Sequence, residues 1–196
     1  MLTWSIDPFG VDANVMEPIH KAIGIVPLGD LSPLIPKIVA AHIESYLHLD
    51  ADILPAEDLP AVAYSRRRLQ YDAGKMIAFL ESRPSTGHEK KIALLAVDLF
   101  VPIFSHVFGE SRQGGAWALT SVFRLQRQKN GSIPAPETLY ERTAKVALHE
   151  IGHLFCLVHC DDPLCLMHFS GGLSDLDRTP LQFCRYCAQY LREAKF

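Results

Sequence analysis

The chain has 196 residues, a length that fits one domain or one domain with a small addition. Apolar residues make up 48% of it, enough to fill a hydrophobic core, which excludes a wholly disordered protein. The net charge of -3 argues against a nucleic-acid-binding surface, and no apolar stretch reaches the ~18–20 residues of a membrane span.

The first 19 residues have no periodic pattern and lack both the basic and the apolar stretch of a secretion signal. A cytoplasmic location is therefore the expectation. All five cysteines lie after residue 155. In a reducing compartment, such clustering indicates metal binding or catalysis rather than disulfide bonds.

The following part of the chain alternates between short apolar runs and segments with helical periodicity. The runs indicate buried strands, and apolar residues spaced three or four apart indicate amphipathic helices. The pattern predicts strands at 22–27, 51–54 and 92–97, with helices at 31–47 and 69–80 between them. Strands that alternate with helices pair in parallel through crossover connections, so a parallel sheet is expected. The basic run 66–68 falls at the start of the second helix, where a solvated face explains it.

Two further strands and one long helix complete the expected elements. Strands are predicted at 105–108 and at the β-rich residues 116–125, joined by a glycine-bearing loop at 109–115. A helix begins near Pro136 or Glu137 and runs at least to His153, with one apolar face.

This helix carries the motif HExxH, formed by His149, Glu150 and His153. Residues four apart lie on one face of a helix, so both imidazoles can reach one metal ion. Glu150 follows the first histidine and can point at a metal-bound water as a general base. So short a motif also arises by chance, in which case both histidines are solvated or hydrogen-bonded helix residues.

Three features further along the chain favour the metal site. His159 stands ten positions after His149, as in the longer pattern HExxHxxGxxH of metzincin peptidases. Met167 lies where those peptidases place a methionine in a tight turn, although a core methionine filling a gap explains it too. The third feature is a set of two cysteine pairs, Cys160 with Cys165 and Cys184 with Cys187. Paired spacing is typical of a tetrahedral four-cysteine zinc site, with unligated cysteines or two disulfides as alternatives.

Together these residues resemble the archaemetzincin family of the metzincin clan. The resemblance covers roughly residues 20–190 and includes the upstream segments 63–66, 70–71, 98–102 and 107–110. It implies a zincin-like α/β (α+β) fold: a twisted mixed sheet with backing helices, an active-site helix and a small C-terminal part. One catalytic domain is then expected over 1–196, with an N-terminal subdomain at about 20–159 and a C-terminal subdomain at 160–196.

The resemblance also implies two zinc ions and a zinc metallopeptidase activity. A catalytic zinc would bind His149, His153 and His159, and Glu150 would be the catalytic base. A structural zinc would bind Cys160, Cys165, Cys184 and Cys187. An endopeptidase or aminopeptidase is expected, which hydrolyses peptide bonds by Glu150-assisted attack of a zinc-bound water.

The expected substrate is a peptide or protein, bound by a monomer without nucleic acid or membrane. The resemblance implies that the strand at 105–108 is an antiparallel edge, to which an extended peptide can pair. It also implies that specificity depends on the pocket around residues 170–181.

Two positions depart from the metzincin pattern. Cys156 replaces the glycine that turns the chain after the helix with positive φ. A left-handed non-glycine costs roughly 1–2 kcal/mol, so a slightly strained or reshaped turn is expected. Phe169 stands where some metzincins carry a zinc-binding tyrosine, which excludes a tyrosine switch there, and His168 is expected to pack or form a hydrogen bond.

Cys156 also raises an alternative function. A thiol beside the site can bind or block the zinc, which would give a catalytically weak or inactive zinc-binding protein of the same fold. A hydrolase of small amides is a third alternative, which an exposed edge strand at the cleft would argue against.

Overall fold

The fold is that of a computed structural model, which describes residues 20–84, 87–127 and 132–194. The unpatterned segment 1–19 and the last two positions of the expected C-terminal subdomain lie outside the described residues. Within the described residues, no helix combines the length and the apolar character that a membrane span requires.

A five-stranded mixed sheet organises the N-terminal part. In spatial order its strands are β2 (Ala51–Ile53), β1 (His20–Leu28), β5 (His88–Leu95), β8 (Trp117–Ser121) and β7 (Gly109–Ser111). The first four pair in parallel, whereas β7 pairs antiparallel with β8 at the edge. The expected mixed sheet is confirmed. Strands β1, β2 and β5 are those that the sequence joined through helices, and β8 is a fourth parallel strand.

Helices cover both faces of this sheet. Helix α1 (Leu34–His42), continued by a π-helical turn at Ile43–Leu47, packs with α3 (Pro136–Leu154) in one buried apolar cluster. Helix α2 (Ala73–Glu81) packs in a second cluster on the opposite face. Both faces of β1 and of the second half of β5 are therefore buried, which explains their continuous apolar runs.

Smaller elements complete the chain. Strands β3 (Tyr64–Ser65), β4 (Gln70–Asp72) and β6 (Leu99–Phe100) form a second sheet, and helices α4 (Leu173–Arg178) and α5 (Arg185–Ala194) follow α3. The division into subdomains after residue 159 stays a prediction.

The structure corrects the predicted start of the second helix. Helix α2 begins at Ala73, because the Asp72 side chain accepts a hydrogen bond from the Lys75 backbone N–H at 3.1 Å and caps the helix. The basic run 66–68 therefore lies in the turn between β3 and β4 rather than in a helix. Arg68 is not merely solvated, since its guanidinium donates to the Ser105 carbonyl at 3.2 Å.

The predicted edge strand is also displaced. Residues 105–108 form no strand, and the antiparallel edge is β7, which the sequence placed in a loop. The Ser105 carbonyl accepts hydrogen bonds from the side chains of Arg68 and Gln70, so it is not free for a strand ladder. Val107 forms only an isolated bridge with Leu99 before the chain joins the sheet at Gly109.

Candidate metal centre and substrate cleft

The last turns of α3 and the chain that follows bring three histidines together. One ring nitrogen from each of His149, His153 and His159 lies within 4.8 Å of the others. The Nε2 atoms of His149 and His153 are 3.1 Å apart. Two nitrogens bound at 2.0–2.1 Å to one tetrahedral ion would be about 3.3 Å apart, so this pair fits a shared zinc.

Backbone carbonyls orient the first two rings. His149 Nδ1 lies 2.8 Å from the Leu166 carbonyl, and His153 Nδ1 lies 2.7 Å from the Leu157 carbonyl. An Nδ1–H donated to a carbonyl leaves Nε2 as the metal ligand. Burial lowers the pKa of His149 to about 4 and also lowers that of His153, so both rings are neutral near pH 7, as metal binding requires.

The turn after α3 keeps the left-handed conformation although its residue is a cysteine. Cys156 has φ of 66°. Its N–H donates to the His153 carbonyl at 2.9 Å, and the N–H of Leu157 donates to the Gly152 carbonyl at 3.0 Å. These two bonds form a Schellman motif, with Cys156 at the position that glycine usually occupies.

The Cys156 thiol does not join the histidine cluster. Its Sγ lies against Gly114, where an added Cβ would come within 3.0 Å of it, and Cys156 is not among the clustered ligand residues. The turn instead returns the chain so that His159 faces the helix. This arrangement does not support the alternative in which Cys156 blocks the site.

Met167 packs against helix α3 at Gly152, which lies between the first two histidines in the sequence. A Cβ on Gly152 would lie 2.6 Å from Met167 Sδ, so the glycine of HExxH allows this close approach. The Phe169 ring stacks edge-on to His159 with centroids 5.3 Å apart. His168 Nδ1 lies 2.9 Å from the Cys160 carbonyl, the hydrogen-bonding role that the sequence predicts.

Strand β7 holds Glu150 beside the histidines. Ser111 Oγ donates to Glu150 Oε2 at 2.6 Å, and a Cβ on Gly109 would lie 2.7 Å from Glu150 Cγ. Burial raises the pKa of Glu150 to about 7, and burial followed by the charge of Glu150 raises that of Glu110 to about 7. Sequence reasoning missed Ser111 and Gly109, because only the strand register shows that they face the helix.

A cleft of about 440 Å³ opens in front of this cluster. One wall is the segment 104–111, which includes β7. The other wall combines α3 with the chain around the methionine and α4. Parts of the predicted specificity segment 170–181 therefore lie at the cleft, among them Ser170, Gly171, Leu176 and Thr179.

The four cysteines form a second candidate metal site. One Sγ from each of Cys160, Cys165, Cys184 and Cys187 lies within 4.8 Å of the others. The Sγ atoms of Cys160 and Cys184 are 3.9 Å apart, too far for a disulfide and near the ~3.8 Å expected between thiolates of one tetrahedral zinc. Burial raises the pKa of the Cys165 thiol, and the backbone N–H of Cys184, which donates to Cys165 Sγ at 3.3 Å, offsets part of that effect.

Comparison with known proteins finds relatives that match most of the chain. The profile of peptidase family M54 matches residues 44–193. The archaemetzincin of Archaeoglobus fulgidus is 34% identical over 80% of this chain and 90% of its own length. The archaemetzincin of Methanocaldococcus jannaschii is 32% identical over 87% of this chain and 93% of its own.

Solved structures give the same result. The archaemetzincin of Methanopyrus kandleri superimposes with a TM-score of 0.77 at 32% identity, covering 92% of this chain and 98% of its own. A zinc-dependent peptidase from Methanocorpusculum labreanum superimposes with a TM-score of 0.78 at 26% identity, covering 87% of this chain and 100% of its own. Because the family profile covers most of the chain and archaemetzincins match it along most of both lengths, the protein belongs to peptidase family M54, the archaemetzincins, and is a zinc metallopeptidase.

Proposed function

We propose that the chain hydrolyses peptide bonds in this cleft, with Glu150 as the catalytic base and zinc at His149, His153 and His159. The observation that carries the proposal is the meeting of three histidine nitrogens with a buried carboxylate held by Ser111. A second zinc at the four cysteines would fasten the C-terminal part, with a structural role.

His149, His153 and His159 would hold the zinc through three ligand atoms and would leave it accessible to water and substrate. When bound, zinc supplies a Lewis acid that polarises the scissile carbonyl and lowers the pKa of water. Glu150 takes a proton from the attacking water and passes it to the leaving amine. The Ser111 hydroxyl is hydrogen-bonded to Oε2, which leaves Oε1 of Glu150 to accept the proton.

The edge strand supports a peptide substrate over a small amide. Within the part of the chain that the structure describes, strand β7 pairs on one side only, with β8, and its residues line the cleft. An extended peptide can add to such an edge through backbone hydrogen bonds. We further propose that the protein acts as a cytoplasmic monomer, without nucleic acid or membrane as partners.

The test is a peptide library assayed with zinc-loaded protein, with and without chelator. We expect Glu150→Gln to lower kcat/KM by about 10²–10⁴-fold, the usual contribution of a general base. Glu137→Gln, an exposed glutamate of the same helix, is the matched control and should keep full activity. Hydrolysis that survives Glu150→Gln within a few-fold contradicts the assignment, and peptides blocked at the N-terminus separate endopeptidase from aminopeptidase activity.

A further inference from the structure

Lys145 places a buried cation in the cleft. It lies one turn before His149 on the same face of α3 and lines the cavity, although it is only 2% exposed. The apolar side chains of Val146, Leu166 and Leu176 line the same cavity, together with polar residues that include Ser170 and Thr179. A buried ammonium interacts more strongly with an anionic group that enters the cavity than an exposed one would, because less water screens the charge.

Two of the three N–H groups of the Lys145 ammonium have acceptors among the described residues. Lys145 Nζ donates to the Leu176 carbonyl at 3.1 Å and to Glu141 Oε1 at 2.7 Å. An ammonium carries three N–H donors, and the described parts of the chain supply no third acceptor. The Glu141 side chain is 57% exposed, so water screens this ion pair and Glu141 can turn outward.

The course of β7 decides which part of a peptide reaches Lys145. Phe108, just before β7, packs with Val146 and Leu176, whereas Gly114, beyond its end, donates to the His153 carbonyl. The strand therefore runs from the Lys145 end of the cleft to the His153 end. A peptide paired antiparallel to it, the slightly more stable mode, runs the opposite way. Its residues after the scissile bond then lie towards Lys145.

We propose that Lys145 makes this enzyme select an acidic side chain, glutamate or aspartate, directly after the scissile bond. The proposal rests on the peptidase function proposed above. A carboxylate gains a charge-assisted hydrogen bond there, whereas a basic side chain would bring two cations together away from water. Arg142, the other buried cation nearby, is bound by both oxygens of Asp177 and does not compete for the carboxylate.

The test uses peptides that differ only in having Glu, Gln or Lys after the scissile bond. We expect the wild-type protein to favour Glu over Gln by about tenfold in kcat/KM, since charged hydrogen bonds exceed neutral ones by about that factor. Lys145→Met should lower the ratio of kcat/KM for the Glu peptide over the Gln peptide to less than twofold. Glu141→Gln should raise it, because the competing carboxylate is lost. Lys37→Met, an exposed lysine of α1, should keep the wild-type ratio.

Ratios of kcat/KM do not depend on how much of a variant is folded, so a poorly folding Lys145→Met still gives an answer. Binding of the same peptides to zinc-loaded Glu150→Gln, followed by fluorescence anisotropy, adds a measurement without turnover. Preferential binding of the Glu peptide without cleavage by the wild-type protein would overturn the peptidase function and keep the role of Lys145. Equal binding of the Glu and Gln peptides, binding of neither, or a ratio unchanged by Lys145→Met overturns the role of Lys145.

Discussion

Cys156 holds a left-handed backbone conformation that glycine adopts without strain, at the position where α3 ends. We expect Cys156→Gly to stabilise the protein by about 0.5–1 kcal/mol. The ~1–2 kcal/mol of strain is relieved, and the greater freedom of glycine in the unfolded chain offsets part of the gain. Urea unfolding of the zinc-loaded protein measures the difference.

Cys156→Ala is the control, because it removes the thiol but keeps the Cβ that causes the strain. It should show no gain in the free energy of unfolding. An equal gain in both variants would mean that the thiol, not the backbone, is the source of the strain. A loss of zinc from the histidine site in either variant would show that Cys156 is a zinc ligand.

Glu110 makes the metal-free protein less stable as pH rises. Burial and the nearby Glu150 raise its pKa from 4.5 to about 7, so between these values the folded chain holds a proton that the unfolded chain has released. Stability therefore falls as pH increases through this window. The free energy of unfolding of Glu110→Gln should exceed that of the wild type by about 1–2 kcal/mol above pH 7 and match it below pH ~4.5. This is about half of what the full pKa shift would give, because the carboxyl is partly exposed and water screens it.

Thermal unfolding in chelator across that pH range measures this effect. Glu137→Gln, on the exposed start of α3, should reproduce the wild-type curve. A constant offset between Glu110→Gln and the wild type at all pH values would show that Glu110 does not titrate in this window.

At the scale of elements, β7 and α3 can approach closely only because Gly109 has no side chain. A Cβ there would lie 2.7 Å from Glu150 Cγ and 2.8 Å from the Leu119 carbonyl, so either the base or the strand must move. We expect Gly109→Ala to lower kcat/KM at least tenfold, because small displacements of catalytic groups have large effects on rate.

Gly74→Ala in α2 is the matched substitution, since its nearest neighbour would be Asp72 Oδ1 at 3.5 Å. It should keep full activity, because an added Cβ meets no close contact there. Unchanged activity in Gly109→Ala would mean that β7 does not hold Glu150 in place.

For the molecule as a whole, the segment after α3 carries little secondary structure beyond α4 and α5. Its stability should therefore depend on metal at the four cysteines, because zinc binding to such sites contributes directly to folding. We expect Cys187→Ser to lower zinc content by one equivalent and to remove hydrogen-exchange protection from residues 160–194. The central sheet should keep its protection.

Cys156→Ser, which lies outside the cysteine cluster, should leave both zinc content and exchange unchanged. If residues 160–194 of Cys187→Ser kept the same hydrogen-exchange protection as in the wild type, packing alone would be sufficient to stabilise this segment.

The sequence predicts the elements best where a local pattern decides them. Helix α3 and strands β1 and β5 have apolar periodicities that tertiary contacts reinforce, and their predicted positions hold to within a few residues. The prediction failed at β7 and at the start of α2. There, a side chain from another segment or a cap decides the conformation, as Arg68 and Gln70 do for Ser105.

By itself, the sequence determined the family and the candidate ligands. The spacing of four between His149 and His153 was enough to place both on one face of a helix. Only the tertiary structure decided what surrounds them. Ser111 and Gly109 reach Glu150 through the register of β7 on β8, and Lys145 becomes a cation in the cleft only because α4 covers it. Such contacts join segments that are far apart in the chain, so the local periodicity of the sequence does not predict them.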